Sequence, residues 1–218
     1  MKFFSIDSPL YKFMCQLFDV FKLNMLWILC SLPIITIGAS TTAAFHVALK
    51  MVDDEEGYIG KEFMKSFKQN LVQGSIMGMM TLVGVYAIWL DLQLCRVKEN
   101  HIMFVIATVL LIAFMILGNI YAYALLARYD NTIRATFKNS FMIAVRYFLP
   151  TLLLVIIIAF EVVVIMWNLT TYLVGFLIGP ACIIYTISGY AKKYFRILEP
   201  LQEESEEELE KEEEGGWQ

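Results

Sequence analysis

The sequence predicts an all-α, multi-pass transmembrane helical bundle of about five spans, the first broken at Pro33, with amphipathic helices at the cytoplasmic interface. Two observations carry that prediction. The stretch Leu71–Leu90 holds no charged side chain, and three comparable stretches follow it. At roughly 1.5 Å rise per residue, a helix of that length crosses the roughly 30 Å hydrocarbon core of a bilayer. Composition agrees: 59% of residues are hydrophobic, 17% are charged and mean hydropathy is +0.63. Soluble domains run nearer about 45–50% apolar and about 25% charged.

Taken in order, the chain opens with Ser8-Pro9, a cap followed by proline at a first helical position, ahead of the run from Leu10 to Phe21. This predicts an interfacial helix. Lys12, Asp19 and Lys22 interrupt the apolar run that a cleavable signal peptide needs, so the first apolar span is expected to act as an uncleaved anchor. Leu23–Leu49 is uncharged and long enough to cross, but Pro33 lies near its middle, with Gly38-Ala39-Ser40-Thr41-Thr42 beyond. Proline removes a backbone donor, and in lipid the freed carbonyl must find another partner. Either a kinked spanning helix or a hairpin returning to its side of entry satisfies this. Lys and Arg gather on cytoplasmic loops. The hairpin divides the 17 cations fifteen inside and two outside (Arg96 and Lys98), and a single crossing divides them twelve and five. The hairpin fits better, and both place the C-terminus inside.

Ile59, Phe63, Phe67 and Leu71 recur every fourth residue opposite Lys61, Lys65 and Lys68; Ile133, Phe137 and Phe141 do so opposite Arg134 and Lys138. An apolar stripe backed by cations suits a helix lying at an anionic membrane surface. The segments echo each other seventy residues apart, Ser66-Phe67-Lys68-Gln69 against Thr136-Phe137-Lys138-Asn139, a weak sign of duplication. The remaining spans are Ile102–Ala127, roughly Tyr147–Trp167 and Thr170–Ala191. Residues 1–198 thus form the membrane domain. Residues 199–218 carry ten Glu and one Lys, a net of −9 against +5 for the rest of a chain whose total is −4. So acidic a stretch is expected to be a disordered tail.

Few residues suggest chemistry. Glu161 is the ionisable side chain inside a predicted span, which makes it a functional candidate. Against that, it lies six residues from Trp167, near enough to the outer interface for packing or exposure to account for it. Gly179-Pro180 is expected to break or kink the last span, or to mark a cavity-lining discontinuity. The pairs Gly74/Gly78 and Gly175/Gly179, spaced four apart, suit close helix packing, while Asn119 and Thr41-Thr42 read as interhelical glue. His46 and His101 lack a second ligand at metal spacing, and His46 reads as a packed neutral imidazole. Cys15, Cys30, Cys95 and Cys182 share no metal or disulfide pattern. Asn168-Leu169-Thr170 fits a glycosylation acceptor, a pattern that matters only in a eukaryotic secretory route. No phosphate-binding loop, nucleophile elbow, zinc-protease or dinucleotide motif occurs. The expectation is a protein that is not an enzyme, with no cofactor, no metal site and no nucleic-acid partner.

The run Asn24-Met25-Leu26-Trp27-Ile28, then Ser31-Leu32-Pro33-Ile34-Ile35-Thr36-Ile37-Gly38 and Thr41-Thr42-Ala43-Ala44, resembles the opening signature of the YesL-like family. Phe63 to Asn70 resembles its next block. Ala39 stands where members often carry proline. The resemblance covers roughly residues 1–198 and implies a multi-pass bacterial membrane protein built on a domain of unknown function. It also implies genes placed beside carbohydrate uptake and polysaccharide degradation, and supplies no catalytic or binding residues. The leading expectation is a non-catalytic accessory component in the cell membrane that associates with a carbohydrate transporter subunit. The alternative is a small-solute transporter or channel using the broken helices and Glu161. Pro33, Gly38, Asn119, Glu161, Gly179 and Pro180 are the residues to follow.

Overall fold

The computed structural model describes residues 9–53, 57–97, 101–129 and 131–215. Their regular elements are all helical: α1 Pro9–Ser31, a 3₁₀ turn Ile34–Thr36, α2 Ile37–Val52, α3 Ile59–Gln69, α4 Leu71–Val97, α5 His101–Asn119, α6 Ala122–Arg128, α7 Ile133–Arg146, α8 Phe148–Met166 and α9 Leu169–Gly215. Ser8, expected to cap the first helix, lies outside the described residues, as do residues 216–218 and the side chains of Cys95 and His101.

Among the described residues, six stretches, rather than about five, are long and apolar enough to cross a membrane. The sixth comes from the N-terminus. The expected interfacial helix and the first half of the broken span are one continuous α1, apolar over Phe13–Ser31. Two of the charges that interrupt the apolar run pair with each other: Lys22 Nζ donates to Asp19 Oδ1 at 3.2 Å and lies 4.5 Å from the centre of the Phe18 ring. At Leu32-Pro33 the chain turns, and α2 returns along α1 as the second arm of a helical hairpin. Ser40 Oγ donates to the Trp27 carbonyl at 2.9 Å and Trp27 Nε1 to Thr41 Oγ1 at 3.1 Å, which fixes the register of the two arms.

Helix α2 is the centre of the bundle, packed against α1, α3, α4, α6 and α9. Its composition explains this. Lipid gives no hydrophobic drive for helices to associate, so close backbone approach does the work, and small residues permit it. Gly38, Ala39, Ser40, Ala43, Ala44 and Ala48 are all buried. The outward faces are different: Leu29, Ile106, Phe160 and Val163 are each more than half exposed. So much open apolar surface has no place in water; it is the lipid-facing side of a multi-pass membrane bundle.

Two expected spans are modified. Ile102–Ala127 is interrupted at Ile120-Tyr121, giving α5 and α6. Gly179-Pro180 does not break α9, which passes through both residues. The same helix runs on into the acidic segment as far as Gly215. Glu, Leu and Lys are good helix formers, and a helix already nucleated extends at little cost.

The two amphipathic helices form where expected. On α3 the apolar stripe turns inward, with Phe63 fully buried and stacked on Phe67, while Lys61, Lys65 and Lys68 are exposed. On α7 the buried stripe is Thr136, Ser140, Ile143 and Ala144, and Phe141 is exposed. The sequence echo has a spatial counterpart, since Ser66 and Thr136 are both buried, and Lys68 and Lys138 both exposed.

Candidate functional site

Each discontinuity in a span leaves backbone groups unpaired, and at three of them a hydroxyl or amide side chain supplies the partner. At the hairpin apex, Pro33 has extended geometry and is exposed; Thr36 Oγ1 lies 2.7 Å from the Cys30 carbonyl and 2.8 Å from that of Pro33, to which its hydroxyl donates. At Ile120-Tyr121, Ser140 enters from α7. Its hydroxyl donates to the Leu117 carbonyl and accepts from Tyr121 N–H, both at 3.3 Å, replacing a direct helical bond between that pair.

The third is at Pro180. Having no N–H, Pro180 cannot serve the Phe176 carbonyl four residues back. Asn24, fully buried on α1, does so instead: Nδ2 donates to Phe176 O at 2.9 Å and Leu177 O at 2.8 Å, and Oδ1 accepts from Ala181 N–H at 3.3 Å. One carboxamide thus bridges the gap, and the helix continues. Asn24 and Ser140 were not singled out from sequence as site residues. An isolated asparagine in an apolar run, asked what it pairs with, is the signal that points to Asn24.

Gly38 meets α4 backbone to backbone. A Cβ there would lie 2.0 Å from Gly74 O and 2.7 Å from Gly78 Cα, so the Gly74/Gly78 pair is a helix contact. Gly175 and Gly179 instead make room for the Ile165 side chain of α8.

Asn119 and Pro180 line a common cleft of about 700 Å³ between α4, α5, α8 and α9, with apolar walls. Its polar groups engage one another. Thr81 Oγ1 donates to Asn119 Oδ1 at 2.8 Å, Tyr123 Oη lies 3.1 Å from the same hydroxyl, and Asn119 Nδ2 donates to the Met115 carbonyl at 3.0 Å. Glu161 and Gly179 line a separate cleft of about 440 Å³ between α8 and α9. Glu161 Oε1 accepts from Thr186 Oγ1 at 2.8 Å, and its buried Oε2 has no hydrogen-bond partner among the described residues.

A polar group gathers where α2, α3, α6 and α9 meet. Lys50 Nζ donates to Glu62 Oε2 at 2.8 Å, and His46 Nε2 lies 3.6 Å from the same oxygen. His46 Nδ1 is 3.2 Å from the Ala127 carbonyl, which only accepts, so that nitrogen carries hydrogen. The Lys50 ammonium, through its hydrogen bond and its charge, holds the Glu62 carboxyl below the usual carboxylate range. Lys192 pairs with Asp53 and donates to the Val52 carbonyl at 3.0 Å, tying α9 to the end of α2. Among the described residues, no three His, Cys, Asp or Glu side chains converge as a metal site would require.

These features define an integral membrane helical bundle whose intramembrane polar side chains mostly join helix to helix. Residues 20–92 match a family model described as a protein of unknown function, DUF624. The matched stretch runs from within α1 into α4, so it holds Asn24, Pro33 and Gly38, while Asn119, Glu161, Gly179 and Pro180 lie beyond it. Neither a curated protein nor a solved structure matches the chain.

Proposed function

We propose that this protein is a non-catalytic accessory component of a bacterial cell membrane, working beside a carbohydrate-uptake system with its C-terminus on the cytoplasmic side. The observation that carries the proposal is how the polar side chains inside the spans are used. Asn24, Ser40, Asn119 and Ser140 all reach other helices or their own backbone, and the gap at Pro180 is filled from within the chain. Transporters that use broken helices direct the freed backbone groups at a solute; here those groups already have protein partners. The carbohydrate association rests on the resemblance of Asn24–Ala44 and Phe63–Asn70 to the YesL-like family. The sidedness rests on fifteen of 17 cations falling on one side of a hairpin topology.

Mild-detergent extraction and affinity capture of the tagged full chain test the reading. Co-purification of a carbohydrate permease subunit is expected. Capture without one, together with unchanged oligosaccharide uptake in a deletion strain, removes the proposal.

One observation favours a second reading, a small-solute transporter. Glu161 Oε2 is buried in a cleft without a partner, as a carboxylate awaiting a cation or proton would be. Solute flux in proteoliposomes that Glu161→Gln abolishes supports it, and the absence of flux ends it.

A further inference from the structure

We infer that the cleft between α4, α5 and α7 seats an anionic phospholipid, with the phosphate held by Arg134 and Lys138 and an acyl chain laid along the trough. The cleft has a volume of about 650 Å³. Its walls are hydrocarbon: Met80 and Val83 from α4, Phe114 from α5, Phe137 and Phe141 from α7. Gly118 leaves room at its base, where a Cβ would meet only the Phe137 ring at 3.7 Å. Thr81 and Asn119 also line the trough, but they are bonded to each other and offer little to a polar ligand.

Charge enters from one wall alone. Arg134 and Lys138 both line the cleft and both are exposed, and among the described residues no Asp or Glu lines it. Four residues apart on a helix, they stand on one face with Cβ atoms about 5–6 Å apart, a separation one phosphate bridges. A guanidinium offers a phosphate two parallel donors, and the ammonium adds a point charge. A free phosphate would leave the trough empty, and a zwitterionic lipid brings its own cation against two others. An anionic phospholipid matches both the charge and the hydrocarbon.

Native mass spectrometry of the full chain in mild detergent, offered phosphatidylglycerol and phosphatidylcholine with identical acyl chains, tests this. Each cation near an anionic surface is worth about a fivefold preference, so with two of them phosphatidylglycerol should be retained about twenty-fivefold over phosphatidylcholine. Arg134→Gln with Lys138→Gln should bring the ratio close to one. Lys61→Gln with Lys65→Gln, which removes two exposed cations from α3, should leave it unchanged. Val83→Trp, at an exposed position on the trough wall, should lower retention of both lipids and keep their ratio. Equal retention of the two lipids by the unaltered chain overturns the inference and leaves the trough to a partner's helix. So does loss of preference in the α3 variant, retention unaffected by Val83→Trp, or a dimer of the chain that closes the trough in the same micelles.

Discussion

Asn24 fills the gap that Pro180 leaves in α9, although 156 residues separate them in sequence. Its Nδ2 stands 2.9 Å from the Phe176 carbonyl, the group that proline cannot serve, and its Oδ1 receives Ala181 N–H. The donor comes from the first helix of the chain and the gap lies in the last.

Asn24→Leu keeps the volume and strands two carbonyls and an N–H. Each buried polar group left unpaired costs about 1–3 kcal/mol, so the unfolding free energy in mixed detergent should fall by at least that amount. Pro180→Ala restores a donor for Phe176 O. The double variant should therefore be more stable than the sum of the single changes. An additive cycle would mean that the amide and the proline are uncoupled.

Gly38→Leu should prevent α2 and α4 from meeting, because the nearest atoms are backbone and cannot give way. A loss of about 3 kcal/mol, the upper part of the overpacking range, is expected. Gly60→Ala is the control: nothing lies within 4 Å of a Cβ there, and alanine in a helix is favoured by about 0.5–1 kcal/mol. Thermal melts of the two variants should shift in opposite directions.

Glu161→Gln keeps an oxygen for Thr186 Oγ1 and removes a charge whose buried Oε2 has no partner among the described residues, so it should not lower stability. Thr186→Val removes the hydroxyl that donates to the part-buried Glu161 Oε1 and should cost about 1 kcal/mol. An accessory role predicts that neither variant alters solute flux in vesicles. A flux defect in Glu161→Gln would favour transport.

The Lys50–Glu62 pair gives α3 a pH dependence of fixed sign. The carboxyl titrates lower in the folded chain than in the unfolded one, so the pair's stabilisation is complete above the usual carboxylate range. It is lost as pH falls through and below that range. Amide exchange in α3 should speed up over that interval, and Glu62→Gln should flatten the response. A profile unaffected by Glu62→Gln would place the titration elsewhere.

The helical character, the cations of α3 and α7 and the turn at Pro33 were legible in the sequence because each rests on local spacing. The sixth span was not. Lys12, Asp19 and Lys22 counted as three separate charges until the fold showed Asp19 and Lys22 as a pair. Asn24 and Ser140 were missed for a related reason: what they repair lies on other helices, and periodicity on α1 or α7 carries no trace of it. Thr81 as the partner of Asn119 was hidden in the same way. Pro180 reads as a break, a kink or a cavity-lining discontinuity because proline reports only the donor it lacks; it does line a cleft, and the replacement donor comes from elsewhere in the chain.

The tie between Asn24 and α9 sets conditions on biogenesis. A ribosome delivers α1 long before Phe176 and Leu177 exist, so the Asn24 amide enters the bilayer unmatched and waits for the last span to emerge. During synthesis the translocon, water or lipid headgroups must shelter that amide. Chains stalled before α9 would carry an exposed polar flaw in their first helix, a feature by which membrane quality control can tell an incomplete product from a finished one.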